Sequence, residues 1–398
     1  MKFFCFPVLF MIVLASCNPV KQQEDQRILS DSLKRDSILI VPVIQPQAIY
    51  SNGLLDPYAR FMAGLPQLDT TTQYHILEDS KYWLDYQTYM DENWSAMDST
   101  RLLPMSDWKD GFLSSFIDDA LPVFYPFSGP DQLHAAVLYP HATEFILSGL
   151  EPITELPSLS SLTQQEQDQF LDSLSNSLRD IFGKSFFITR NMRKDLKQIR
   201  GVLPLLYTFI SRTGHELVSM EYVSVDSLGK EIELPFEKLK SQKVRGARLE
   251  YRNRGGGFLK KLYYFAGDVS NPGLLGKKDW LTFLNRKRPF NTYIKSASYL
   301  MHQDLFSGIR DQIIQNSSSV FQDDTGIPYR FLKSDFTGLF YGEYMKPVKD
   351  FIWLEKQPDL DSAFKAGSQP LPFSLGYHWG SQKQHYMLFI KKNPIFAP

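Results

Sequence analysis

Asp323 and Asp324 are adjacent carboxylates just past an expected short strand, Ser318 to Phe321. In open α/β sheets ligands collect beyond the carboxyl ends of the strands. Two acids placed there can divide acid and base duties or hold a cation. Glu151 and Asp268 also follow apolar runs, so a sheet that is parallel near them would set these acids on one rim. Asp323, Asp324 and Glu151 are therefore the candidate catalytic residues. The bland alternative is a capped turn, because Asp-Asp-Thr-Gly is good turn chemistry. The histidines, His75, His134, His141, His215, His302, His378 and His385, form neither an HExxH pattern nor a close pair, so no metal is expected. Ser128 lies outside a nucleophile elbow, which leaves acyl hydrolysis without support. Gly183-Lys184-Ser185 ends like a phosphate loop, but Leu178 stands where that loop needs its first glycine.

The elements that must position such residues begin with Leu121 to Glu151. Val123-Phe124-Tyr125 is a short apolar run suited to a buried parallel strand. Phe127-Ser128-Gly129-Pro130-Asp131 breaks it. Ser128 or Gly129 can cap a helix, Pro130 suits its first position, and Asp131 suits its first turn. Leu133, Ala136 and Val137 give that helix an apolar face, and Pro140 ends it. Phe145-Ile146-Leu147 is a second strand, with Glu151 behind it. A parallel pair with a crossover helix buries both runs.

Glu151 lies 22 residues past Gly129 (151 − 129), the spacing at which an acid after the second strand reaches a ribose hydroxyl. On these residues the stretch resembles the first strand-helix-strand of class I S-adenosylmethionine methyltransferases. The likeness covers about 30 of the 398 residues. It departs from the family in its loop, where Gly129 stands alone, Pro130 lacks a donor and Asp131 repels an anion. A pyrophosphate is thus disfavoured, whereas a neutral or cationic ligand is allowed. The loop residues Ser128, Gly129 and Asp131, and Asp268 for its place after a strand, are the candidate ligand-binding residues. The alternative is that the unit is scaffold alone.

The chain begins MKFFCFPVLFMIVLASC. Lys2 precedes an apolar core, Phe3 to Val13, that is too short to span a membrane permanently. Leu14-Ala15-Ser16-Cys17 resembles the lipobox of bacterial lipoproteins. That resemblance implies cleavage before Cys17 and lipid, palmitate included, on that residue. Asn18 is not the aspartate associated with inner-membrane retention, so the resemblance favours the outer membrane, on its periplasmic or cell-surface side. Cys5 would leave with the signal peptide, and the mature chain would have no cysteine left for a disulfide or a zinc–thiolate site. Such a compartment lacks soluble nucleotides, so no cofactor is expected, and the membrane reached through Cys17 is the expected partner.

Asn18 to Ser37 is polar and charged and reads as a tether. The organisation expected is a signal peptide over 1–16, a tether over 17–45 and a single α/β domain over 46–398. The fold class is α/β: a Rossmann-like mixed sheet flanked by helices, with an antiparallel hairpin and an N-terminal helical segment over 54–116, the sheet core filling 121–398. Further helices are expected at Asp56 to Met62, Thr72 to Met97, Met105 to Phe116, Ser160 to Phe182, Val202 to Ile210, Trp280 to Leu284, Tyr293 to Met301 and Leu305 to Ile314. Strands are expected at Glu216 to Val225, Ser318 to Phe321, Leu339 to Tyr341, Pro372 to Tyr377 and Tyr386 to Ile390. Val244 to Tyr251 and Phe258 to Phe265 flank a glycine turn as a hairpin. The aromatic stripe from Tyr82 to Trp94 matches a core face better than a sugar-stacking platform.

Net charge is −1, which gives no sign of nucleic-acid binding. Lys and Arg nevertheless crowd residues 184–300. Arg190, Arg193, Lys194, Lys197 and Arg200 recur at helical steps. That basic surface faces anionic lipid or glycan, or it complements the acids of the first half of the chain. The sequence names no protein partner. Its leading functional reading is an accessory envelope lipoprotein that binds a ligand or partner at the sheet edge. The rivals are an envelope enzyme acting on a glycan or phosphoester and a methyltransferase-like protein that has lost its cofactor.

Overall fold

Val123–Tyr125 (β1) is buried along its whole length and pairs in parallel with Glu144–Gly149 (β2), Val123 opposite Phe145. The structure, a computed structural model, describes residues 53–188, 199–351, 354–381 and 383–393. The expected signal peptide and tether and the basic residues at 190, 193, 194 and 197 lie outside them.

The remaining strands are His215–Val225 (β3), Glu231–Glu233 (β4), Arg245–Asn253 (β5), Lys260–Ala266 (β6), Phe290–Ile294 (β7), Ser317–Gln322 (β8), Phe336–Gly342 (β9), Ser368–Gln369 (β10) and His385–Lys391 (β11). They form one sheet of 11 strands in the order β10-β9-β11-β8-β7-β1-β2-β6-β5-β3-β4. β6, β2, β1, β7 and β8 are mutually parallel. β5, β3 and β4 continue one flank antiparallel, and β11 runs antiparallel between β8 and β9. From β1 the chain fills one side with β2 and β6, then crosses over to lay β7 and β8 on the other. The strand order therefore reverses between β1 and β7. The molecule is thus a mixed α/β sheet flanked by helices, parallel at Val123 and Phe145 and antiparallel at the glycine hairpin.

The period-two alternation of a strand decides which face each core residue joins. Val123 and Tyr125 of β1 and Phe145 and Leu147 of β2 pack on one face. Phe124 and Ile146 pack on the other. Both faces are covered, as parallel strands require. The first face carries the helices Lys81–Met97, Gln132–Leu138, Gln164–Lys184 and Leu203–Arg212; the second carries Lys278–Arg286, Ser307–Asn316 and Pro358–Ala366.

Several elements differ from their sequence expectation. The pattern over Thr72 to Met97 is two helices, Gln73–Leu77 and Lys81–Met97, because Ser80 caps the second by accepting from the Trp83 N–H at 3.1 Å. That helix runs on through wide π turns at Asp98–Leu102 and Lys109–Leu113, which bracket Leu103–Trp108. Its aromatic stripe is core: Trp83, Tyr86 and Met90 are buried. Asp56 caps nothing. Its carboxylate pairs with Arg254 at 2.8 Å and accepts from the Leu217 N–H, joining the first helix to the β5 end. Tyr293 to Met301 is not a helix. Its first residues end β7, and the rest is a loop and one tight turn. Pro372 to Tyr377 is not a strand: it is irregular up to the tight turn Gly376–His378. Much of the basic excess is matched internally. Arg248 pairs with Glu231 and Glu233, Arg252 with Glu216, and Lys287 with Glu144.

Candidate functional site

Beyond the carboxyl ends of β1, β2, β6 and β7 lies a cavity of about 450 Å³. It sits where the strand order reverses, the place where open α/β sheets bind ligands. Its size is that of a small-molecule site. Ser128, Gly129, Asp131, Glu151 and Asp268 all line it, together with Lys295, Asp350 and a wall of aromatic and aliphatic side chains that includes Phe127, Phe186 and Phe306.

Helix Gln132–Leu138 starts later than its sequence suggests. Pro130 lies before the helix rather than at its first position, and the N-cap is Asp131. Ser128 instead turns its hydroxyl to the Ser148 and Gly129 carbonyls at 3.2 and 2.9 Å, which holds the loop against β2. Gly149 is required here. A Cβ on it would lie 2.9 Å from the Gly129 Cα and 2.4 Å from a Glu151 carboxylate oxygen.

Asp131 does not act as a bare anion at the helix start. It is 2% exposed and forms a knot with the 3% exposed Lys295. Lys295 Nζ lies 2.7 Å from Asp131 Oδ2, to which Tyr125 also donates at 2.9 Å. His134 Nδ1 lies 2.7 Å from Asp131 Oδ1. Lys295 also donates to the carbonyl of Ser185, the left-handed residue that ends helix Gln164–Lys184. The Ser185 hydroxyl accepts from the Gly376 N–H at 2.8 Å. Burial alone would raise the Asp131 pKa, but His134 and Lys295 outweigh it and hold the carboxyl well below its usual range. Burial pulls the Lys295 ammonium down against the attraction of Asp131. The 2.7 Å contact and the extra acceptor at Ser185 favour the ionised pair. Nδ1 of His134 cannot both donate to Asp131 and accept from Lys295, 3.1 Å away. Beside a carboxylate the network assigns the proton to Nδ1. Nε2 is then a bare lone pair, with no hydrogen-bond partner among the described residues.

Glu151 is a buried acid of the cavity wall. Burial raises its pKa, while Tyr264 donates to its carbonyl at 3.0 Å and lies 3.2 Å from its carboxylate. Asp268 is partly committed, since it accepts from the Ser270 N–H at 2.8 Å and the Ser270 hydroxyl at 2.6 Å.

Asp323 and Asp324 are not among the described residues that line the cavity. They stand behind it and hold its wall. Ser296, Ser298 and Tyr299 all have left-handed backbones, φ 54°, 53° and 55°. Such residues are strained and persist only when their surroundings over-determine them. Asp323 Oδ2 accepts from the Ser296 N–H at 2.9 Å, Thr325 Oγ1 from the Ala297 N–H at 2.7 Å, and Asp324 Oδ2 from the Tyr299 hydroxyl at 2.9 Å. Tyr377 donates to the Ser296 carbonyl at 2.9 Å. The expected turn is present too, with the Thr325 N–H on Asp323 Oδ1 at 3.0 Å. Burial, then the neighbouring Asp324, pushes Asp323 up to about 6. The structure therefore does not bring Glu151 into one cleft with the Asp323–Asp324 pair.

Sequence reasoning missed Lys295, His378 and His385. A lone lysine after Phe290 to Ile294 carries no motif. The two histidines come from a tight turn and a strand, so no helical spacing marks them. No family model, curated protein or solved structure matches this chain. Among the described residues no helix is long and apolar enough to cross a membrane.

Proposed function

We propose that this chain is a lipid-anchored cell-envelope protein that binds a small ligand at the reversal point of a Rossmann-like sheet. The observation that carries the reading is the cavity beyond β1, β2, β6 and β7, with Glu151 buried in its wall. Glu151, Asp268 and Asp350 give the cavity an acidic lining, while Lys295 is engaged by Asp131. That lining selects a neutral or cationic ligand. A carboxylate just past the second strand suits a pair of hydroxyls, and the aromatic wall suits a flat ring. A nucleoside-like molecule has both parts. In this reading Glu151 orients the ligand, and Asp323 and Asp324 position the loop that closes the site.

A second reading, a methyltransferase-like cofactor site, is favoured by the parallel strand order β6-β2-β1-β7-β8, which is the doubly wound order of dinucleotide-binding sheets. S-adenosylmethionine is itself a cationic nucleoside. Titration calorimetry on the full chain in detergent, with adenosine and S-adenosylmethionine as probes, tests both. Saturable heat from adenosine, weakened about tenfold or more by Glu151→Gln, is the expected result, because a hydrogen bond to a buried charge contributes roughly 1.5–3 kcal/mol. Heat from S-adenosylmethionine alone would transfer the case to the second reading. Silence from both probes would remove the nucleoside.

The anchor has its own test. Cys17→Ser should move the protein from the membrane pellet to the soluble fraction, since lipid on that residue is the proposed attachment. A variant that still pellets with membranes would remove the anchor from the proposal.

A further inference from the structure

Behind the cavity wall, the fold gathers three side chains that are far from any metal-binding spacing in the sequence. Asp324 follows β8, His378 ends the turn Gly376–His378, and His385 opens β11. One donor atom from each lies within 4.8 Å of the others. Nε2 of His378 and Nε2 of His385 are both buried without a hydrogen-bond partner among the described residues. Asp324 Oδ1 lies 3.0 Å from His385 Nε2. Tyr299 holds the other carboxylate oxygen at 2.9 Å and so fixes which oxygen faces the histidines. Two imidazole Nε2 atoms without a hydrogen-bond partner among the described residues and an oriented carboxylate converge in one place, where an ion would take the position of the His385 Nε2 proton.

We infer that Asp324, His378 and His385 bind a divalent transition-metal cation of the zinc type. Imidazole nitrogen with carboxylate oxygen suits zinc and its neighbours rather than magnesium or calcium, which take oxygen alone. Donor atoms on one such ion stand about 3–4 Å apart, given bond lengths near 2.1 Å. The cluster must therefore contract slightly, and the half-buried His378 is the ligand with room to move. Three protein ligands leave a coordination position for water on that side. One contact must yield. The Met345 N–H lies 3.3 Å from His385 Nδ1, and an ion on Nε2 sends the ring proton to Nδ1. That contact is long, and the segment carrying it is irregular, so it can open. The site is independent of what the cavity binds. A bound ion would pin β8, β11 and the turn that carries Tyr377, which itself lines the cavity.

The test is cobalt(II) titration of the untagged full chain in detergent after chelator dialysis, followed by visible absorption, with zinc as competitor. The expected result is one equivalent of cobalt with a d–d band, displaced by zinc. His378→Ala should weaken binding at least about tenfold while circular dichroism stays unchanged. His385→Ala should abolish it. Should that buried variant fail to fold, His378→Ala decides alone. A wild-type chain that takes up no cobalt, or a folded His378→Ala variant that binds as tightly as wild type, overturns the site.

Discussion

Lys295→Met should cost the protein about 3–5 kcal/mol of unfolding free energy, because it strands Asp131 as an unpaired buried carboxylate. Asp131→Asn keeps a helix-capping side chain but leaves the ammonium of Lys295 with a weaker partner, so it should cost a comparable amount. The double variant should be much less damaged than the sum of the two, with a coupling energy of about 2 kcal/mol or more. Residual loss is expected even there. Lys295 also donates to the Ser185 carbonyl, and Met makes no such bond. Urea unfolding of the four proteins gives the cycle. Additive losses would mean that the two groups do not interact as charges. Mild single losses would mean that the pair is not ionised in the folded protein.

The knot matters beyond its energy because of what it joins. Asp131 sits at the first loop, His134 on the crossover helix, Ser185 at the end of helix Gln164–Lys184, Lys295 at the end of β7 and Gly376 on the C-terminal turn. Each contributes to the cavity wall or stands directly behind it. A rigid site needs such a support. Here it is a buried charge pair rather than packing alone.

This arrangement was only partly legible in the chain. β1 and β2 were readable because each is an apolar run bounded by prolines and followed by a breaker. The acid at Glu151 was readable from its distance to Gly129. β7 was not: Phe290 to Ile294 is short, and the residues after it place apolar side chains at steps that imitate a helix. Length would have arbitrated, but only with the strand's neighbours known. Asp323 and Asp324 were found for their chemistry. Their observed work, holding the left-handed residues Ser296 and Tyr299, depends on backbone torsions that carry little trace in residue type. β4 and β10 were missed because strands of three and two residues carry too little pattern. The convergence of His378 and His385 is a property of the turn that precedes β11, which the sequence presented as a strand.

Acidification provides a second view of the same knot. In the folded protein burial pulls the His134 pKa down to about 4, against the opposing attraction of Asp131. In the unfolded chain it returns to about 6.5. A histidine lowered on folding binds fewer protons in the native state between those values. Its contribution is therefore complete above about pH 6.5 and is lost as pH falls towards 4. The full loss is on the order of 3 kcal/mol. Its structural cause is Nε2, which on protonation would become a buried N–H with nothing to bond. Asp131 adds its own loss at lower pH. Its folded pKa is depressed, so its stabilisation fades as pH falls below the unfolded value near 3.9. Urea midpoints measured from pH 7.5 to 4 should therefore fall for the wild type. His134→Gln, which keeps a polar side chain but cannot titrate, should be less stable at neutral pH yet show a shallower fall across that window. Parallel slopes for the two proteins would assign the acid sensitivity to other groups and would leave His134 protonated or exchanging in the native core.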